Sequence, residues 1–175
     1  MIDVKNVKTT IWFTGLPCCG KTTLAKQLKE KLDNKGIKSV LLDADDIRGG
    51  LNADLGFSQK DRVENLRRVA HVAKLFNDNG ILVIASFISP TNKMRRMVKK
   101  ILKDIKLVYV KCDLKTCEAR DVKGMYKKAR QGVIKEFTGI SAPFEVPDQA
   151  DLVVDTAKNS LESCVKKILD KPWHL

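Results

Sequence analysis

Gly15, Gly20, Lys21 and Thr22 stand at G-x-x-x-x-G-K-[ST] spacing in the run Gly15-Leu16-Pro17-Cys18-Cys19-Gly20-Lys21-Thr22-Thr23. That spacing serves one kind of chemistry, the holding of nucleotide phosphates. The glycines permit backbone angles and close approaches at which successive N–H groups converge on phosphate oxygens. The dipole of a following helix favours the negative charge. Lys21 is placed to reach the β- and γ-phosphates, and the Thr22 hydroxyl to ligate Mg²⁺. A chance glycine turn would lack the flanks found here, an apolar run Thr10–Thr14 before the loop and an amphipathic stretch Lys21–Leu32 after it. Pro17, Cys18 and Cys19 fill the variable centre. A thiol at a helix N-terminus can have a lowered pKa and oxidise readily. Small residues here also simply present backbone amides, and this plainer reading is preferred.

Further chemistry-bearing residues follow. Asp43-Ala44-Asp45-Asp46-Ile47-Arg48 sets three carboxylates beside a guanidinium. A carboxylate there can position Mg²⁺ or take the proton of an attacking hydroxyl. Alternatively Asp43 only caps the next helix. Phe57 and Arg62 offer a flat face and a cation, suited to an aromatic base and an anionic group. Cys112 and Cys117 have no second ligand pair, and the only histidines are His71 and His174, so a zinc site is rejected. His71 reads as a helix-surface or packing residue.

The elements that position these groups alternate. Strands are expected over Thr9–Thr14, Lys38–Leu42, Ile81–Ala85, Lys106–Cys112 and Leu152–Asp155. Helices are expected over Lys21–Asn34, about 59–79 with an N-cap at Ser58, Asn92–Lys103, Leu114–Arg120 and Ser160–Leu169. The 45–57 stretch reads as a short helix and a loop. Leu24, Leu28 and Leu32 give the first helix one apolar face. Val63, Leu66, Ala70, Ala73 and Phe76 do the same for the second. The pattern is that of an α/β fold with a five-stranded parallel sheet flanked by helices. The Gly- and Pro-rich stretch Asp121–Pro147 reads as a lid or binding loop. Ligands bind outside the carboxyl ends of such strands. Gly15–Thr22, Asp43–Asp46, Ser86–Pro90 and Cys112–Asp113 should therefore meet in one crevice.

Length and composition set bounds. One hundred and seventy-five residues with 43% apolar content fit one globular domain, 1–175. No apolar run approaches a membrane span, and Met1–Lys5 lacks the apolar core of a signal peptide, which predicts a cytoplasmic protein. The five cysteines form no evident disulfide framework. The net charge of +12 favours anionic partners. Lysines are scattered and only 6% of residues are aromatic, so no stacking platform for nucleic acid is expected.

From Ile11 to Leu169 the chain resembles adenylylsulfate kinase (APS kinase), in its stand-alone form. The resemblance rests on the phosphate loop, Leu42-Asp-Ala-Asp-Asp46, Asp54-Leu-Gly-Phe-Ser58 and Asp61-Arg-Val-Glu-Asn-Leu-Arg-Arg68. It continues with Ser86-Phe-Ile-Ser-Pro90, Lys123-Gly-Met-Tyr-Lys-Lys-Ala-Arg130 and Phe137-Thr-Gly-Ile140, in the family's order. It implies the P-loop nucleoside-triphosphate hydrolase fold. It also implies transfer of the ATP γ-phosphoryl group to the 3′-hydroxyl of adenosine 5′-phosphosulfate, with Mg²⁺. Gly15–Thr23 would hold the ATP phosphates, and Arg120 and the Thr156–Asn159 turn, with Ala157, would lie near its adenine. Lys21, Asp45 and Ser89 would be catalytic, Asp45 as base or as a Mg²⁺-positioning carboxylate with Thr22. Asp43, Arg48, Arg62 and Asn65 would hold the acceptor, and Phe57 and Phe137 would sandwich its adenine. Ile88 and Ser89 would lie beside it, with Lys123 reaching in from the lid and Lys127 and Arg130 adding positive charge.

Ser89 occupies the position described for a phosphoserine intermediate. A hydroxyl held in line needs no relay, so Ser89 is expected to be a hydrogen-bond donor to substrate. The resemblance implies a homodimer. The chain departs from the family at Pro17-Cys18-Cys19, at Ala44 for Gly, at Asp46 for Asn and at Thr91 for an aromatic residue. Asp46 leaves room for another small-molecule kinase with a retuned acceptor pocket. A nucleotide-dependent nucleic-acid switch, suggested by charge alone, leaves Phe57, Arg62, Asn65 and Lys123 unexplained.

Overall fold

A computed structural model describes residues 8–173. The N-terminal run Met1–Lys5 and His174 lie outside the described residues. Five parallel strands form one sheet in the order β2-β3-β1-β4-β5, with β1 Thr10–Thr14, β2 Ser39–Asp43, β3 Leu82–Ser86, β4 Ile105–Lys111 and β5 Leu152–Asp155. Trp12 sits opposite Ala85 on one side and Leu107 on the other. The helices are α1 Lys21–Asp33, α2 Ala44–Gly49, α3 Gln59–Asp78, α4 Asn92–Leu102, α5 Leu114–Ala119, α6 Met125–Arg130 and α7 Leu161–Asp170. Expected boundaries fall within a few residues of these, except for α6, which lies in the stretch read as a lid or binding loop. One shift has consequences: α2 begins at Ala44, which makes Asp43 its N-cap.

β1 explains the layering. Its residues are buried on both faces and alternate in direction. Ile11 and Phe13 join the core under α1 and α7, with Leu24, Leu28, Leu32, Val165 and Ile168. Trp12 points the other way, into a core with Leu66, Val69, Ala70 and Ala73 of α3 and Met94 and Val98 of α4. On that second face Thr10 Oγ1 donates to Asn77 Oδ1 of α3 at 2.7 Å. Val63 and Phe76, expected on the inner stripe of α3, are only partly buried against this core.

Helix starts follow side-chain caps. Ser58 accepts from the Asp61 N–H at 3.1 Å, Thr91 from Met94, Asp113 from Thr116 and Ser160 from Ser163. The departure at Thr91 thus supplies the cap of α4. α1 differs: its N-cap is Gly20 in the left-handed region (φ 94°), with no capping side chain. Its first-turn N–H groups remain available to an anion. At Gly15 a Cβ would stand 2.5 Å from the Val110 carbonyl oxygen, so the loop's approach to β4 requires glycine.

Candidate active site

The phosphate loop is held from behind through its carbonyls. Tyr126 Oη donates to Pro17 O at 3.0 Å, and Thr156 Oγ1 to Cys19 O at 2.8 Å. In planar trans peptides this turns the Cys18 and Gly20 N–H groups the opposite way. Cys18 is itself left-handed (φ 58°). Buried Lys21 folds back across the loop, donating to Gly15 O at 3.0 Å and Leu16 O at 2.6 Å. A cavity of about 500 Å³ opens between Gly20–Thr23 and a wall that includes Arg120, Thr156 and Asn159. Arg120 is tied to the Thr156 carbonyl at 2.7 Å. Ala157 lies in the same turn with its N–H on Asp155 Oδ1. Burial raises the Cys18 thiol pKa, and Cys19 is fully buried. The thiols are free, with Cys18 half-buried and lining the cavity and Cys19 buried.

One cluster of oxygens lies at the start of α1. Thr22 Oγ1 donates to Asp43 Oδ2 at 2.7 Å and lies 3.4 Å from Ser86 Oγ. Asp43 Oδ1 accepts the Asp45 N–H at 3.1 Å, so the carboxylate caps α2 with one oxygen and meets Thr22 with the other. Hydroxyl and carboxylate oxygens fit Mg²⁺, which commonly takes one or two protein oxygens together with phosphates. The resemblance joins Asp45 to Thr22 at the metal. It is Asp43 that meets Thr22, because the start of α2 carries Asp45 away to an exposed pair with Lys123 Nζ at 2.5 Å. That hydrogen bond raises the Lys123 pKa. Of the other expected cations, Arg130 pairs instead with Glu118 at 2.6 Å. Asp46 and Lys127 are exposed.

Beyond Asp45 two guanidiniums flank an exposed aromatic ring. Arg48 lies 4.4 Å and Arg62 5.7 Å from the Phe57 ring centre. Arg48 donates to Gly56 O at 2.9 Å, and Arg62 to Phe57 O and Glu136 O, both at 2.8 Å. Neither makes an ion pair among the described residues. Burial lowers both pKa values, and Arg48 also lowers that of Arg62. Two adjacent cations held by carbonyls, beside a flat apolar face, suit an anionic aromatic ligand. Buried Asn65 accepts from Asn52 Nδ2 at 2.9 Å through Oδ1, which leaves its own amide hydrogens uncommitted. Phe137 is packed edge-on against Tyr126, with ring centres 4.9 Å apart, and its segment connects to Phe57 through Arg62 and Glu136.

The Ser86–Pro90 loop meets the phosphate loop through Gly15 and Thr22. Ile88 O accepts from Thr14 Oγ1 at 2.6 Å and from the Gly15 N–H at 3.4 Å. Ser89 is buried and left-handed (φ 46°). Its Oγ accepts from Trp12 Nε1 at 2.9 Å, and its carbonyl from Arg95 Nη1 at 2.6 Å. The sequence does not single out Trp12, Asn52 or Arg95, which contact the expected site residues Ser89 and Asn65, and it marks Ser86 only as part of Ser86–Pro90. A tryptophan in a buried strand looks like core, and Asn52 looks like turn chemistry. Ser86 could have been found, as the polar last residue of an apolar strand. His71 is exposed on α3.

A family model for adenylylsulphate kinase matches residues 7–155. The adenylyl-sulfate kinase of Clostridium kluyveri is 53% identical over 161 residues, covering 91% of this chain and 81% of that protein. That of Bacteroides thetaiotaomicron is 53% identical over 162 residues, with the same coverage. The Mycobacterium tuberculosis APS kinase, solved in complex with AMPPNP and APS, superimposes with a TM-score of 0.90 at 42% identity, covering 95% of this chain and 96% of that one. With the phosphate loop joined to the acidic end of β2 through Thr22 and Asp43, and with the family model and these relatives matching most of its length, the chain belongs to the adenylylsulfate kinase family.

Proposed function

We propose that this protein transfers the γ-phosphoryl group of ATP to the ribose 3′-hydroxyl of adenosine 5′-phosphosulfate, giving ADP and 3′-phosphoadenosine 5′-phosphosulfate. The observation that carries the reading is the Arg48–Phe57–Arg62 group, whose Arg48 lies on α2, the helix capped by the same Asp43 that bonds Thr22 of the phosphate loop. A site for an anionic aromatic acceptor adjoins a site for a phosphoryl donor. The relative solved with AMPPNP and APS supports the same pair of ligands.

In this reading the Gly20 and Cys18 N–H groups and the first turn of α1 receive the donor phosphates. Lys21 leaves Gly15 O and Leu16 O to meet the β- and γ-oxygens. Thr22 and Asp43 hold Mg²⁺, which when bound spreads the charge of the transferring phosphoryl group. Arg120 and the turn after β5 flank the donor base. Arg48 and Arg62 take the phosphosulfate, Phe57 stacks on the acceptor adenine, and the Asn65 amide hydrogen-bonds the nucleotide. Asp45 receives the 3′-hydroxyl proton. The Asp45–Lys123 pair is exposed and worth less than about 1 kcal/mol. Arriving substrate can therefore separate it, freeing Asp45 as base and Lys123 to face the negative charge of the transfer. The 121–147 segment acts as a lid that excludes water and suppresses ATP hydrolysis.

The reading includes a homodimer and a cytoplasmic location; no helix among the described residues is long and apolar enough to cross a membrane. A coupled ADP-release assay with and without adenosine 5′-phosphosulfate tests the activity. Strong acceptor dependence is expected. ADP release indifferent to this acceptor, or faster with another hydroxyl compound, overturns it.

A further inference from the structure

We infer that Trp12 is a positioning residue for the acceptor nucleotide, acting through Ser89: its indole N–H fixes the Ser89 hydroxyl so that the hydroxyl proton is left for the acceptor. The inference rests on the reading that Ser89 touches the acceptor, and adds what makes Ser89 a directed donor. Trp12 Nε1 and Ser89 Oγ are 2.9 Å apart, and both residues are buried, 1% and 2% exposed. An indole N–H can only donate, so Ser89 Oγ must accept. The one proton of Ser89 therefore goes elsewhere, and among the described residues no acceptor takes it. A buried hydroxyl proton without a partner is costly. A ligand oxygen or nitrogen at the crevice would satisfy it.

The surroundings are built to hold this arrangement. Ser89 keeps a left-handed backbone (φ 46°), which a serine adopts only under constraint. The constraint comes from Arg95, whose Nη1 donates to Ser89 O at 2.6 Å and whose Nη2 is fastened to Asn92 Oδ1 at 2.6 Å and Glu145 O at 2.7 Å. Trp12 is anchored by its strand and by Phe87, 5.4 Å away ring to ring. Two residues on, Thr14 projects from the same face of β1 and holds Ile88 O at 2.6 Å. The strand that feeds the phosphate loop thus also sets the acceptor loop. The bond from Trp12 occupies a lone pair of Ser89 Oγ, and no base stands on its proton. Both facts suit a donor and not a nucleophile.

The test is a double-mutant cycle in the full chain, read as kinetic constants for each substrate, with an NMR measurement that does not depend on the tryptophan variant folding. Ser89→Ala is expected to lower kcat/KM for adenosine 5′-phosphosulfate about tenfold and to leave KM for ATP within about twofold. Trp12→Phe is expected to lower the same acceptor constant roughly threefold to tenfold, and to add nothing once Ser89 is alanine. In ¹⁵N-labelled protein the Trp12 indole resonance, assigned with Trp173→Phe, should shift on adding adenosine 5′-phosphosulfate and not on adding AMPPNP alone. That shift should vanish in Ser89→Ala. If Ser89→Ala leaves the acceptor constants unchanged, the reading of Ser89 falls and the inference with it. If Ser89→Ala weakens the acceptor but Trp12→Phe adds its full effect on top, or the indole signal ignores the acceptor, the inference alone falls.

Discussion

Thr22 Oγ1 donates to Asp43 Oδ2 at 2.7 Å, joining the first turn of α1 to the end of β2. The other oxygen of that carboxylate caps α2 through the Asp45 N–H. Asparagine can keep the cap while removing the charge, so the two duties separate. Asp43→Asn is expected to keep its thermal midpoint within about 5 °C of wild type. Its kcat should fall on the order of a hundredfold to a thousandfold, and half-maximal activity should require more magnesium. A magnesium titration of ADP release measures this. Wild-type turnover at low magnesium would remove Asp43 from the metal site.

Lys21 and Asp45 allow a second comparison, because both are tied inside the protein by bonds that substrate must replace. Lys21 holds two carbonyls of its own loop, and Asp45 holds Lys123 on the surface. Lys21→Ala and Asp45→Asn are each expected to lower transfer by at least about a thousandfold. Circular dichroism and melting of Asp45→Asn should match wild type, since an exposed pair contributes less than about 1 kcal/mol. If either variant turns over at the wild-type rate, its residue has another role.

How far these residues were legible in the sequence depended on how local their work is. The phosphate loop, the Ser58 cap and the β1–α1 junction are set by neighbours in the chain, so motif and periodicity found them. Phe57 and Arg62 stand out by residue type as a flat face and a cation, and the resemblance adds Arg48 to them. Asp43 and Asp45 could not be told apart: which acid faces Thr22 depends on the residue at which α2 starts. Asn52 and Trp12 hydrogen-bond Asn65 and Ser89, 13 and 77 residues away, and nothing in their own surroundings announces those contacts. Phe137 sits in a Gly- and Pro-rich stretch, and its packing on Tyr126 depends on where α6 lies. Strand order had no local signal either, being a property of crossovers.

Glu64 governs a pH-dependent part of stability. It accepts from Arg67 at 2.7 Å and Arg68 at 3.0 Å, and Arg68 also grips Asp54 through two bonds. These bonds lower the Glu64 pKa from 4.5 to about 2. The folded state thus binds a proton at this site less readily than the unfolded chain. The stabilisation is present above about pH 4.5 and is lost as pH falls toward 2. Glu64→Gln should flatten the fall of the urea midpoint across that window and leave its slope above pH 5 unchanged. An identical acid slope in the variant would show that Glu64 contributes nothing there. The network also fastens the loop carrying Phe57 to α3, so Arg68→Ala should weaken acceptor affinity more than ATP affinity, read as the two KM values.

Cys18 offers a last test, of the centre of the phosphate loop. Its place before α1 would favour a reactive thiolate if the helix end dominated. Burial dominates instead and raises its pKa, with Asp121 adding to the effect and Lys21 opposing it. Little thiolate then exists near neutral pH, and the thiol should behave as packing. Iodoacetamide should label Cys18 in the folded protein on the order of tenfold more slowly than free cysteine at pH 7.5. The rate should climb through and beyond pH 9 as the thiol ionises. Cys18 also lines the cavity assigned to the donor nucleotide. AMPPNP with magnesium should therefore slow labelling further at every pH, as followed by mass mapping of the peptide containing Cys18. Rapid labelling at pH 6–7 would mean that the helix end outweighs burial, and that oxidation of this thiol is a route to blocking the phosphate loop.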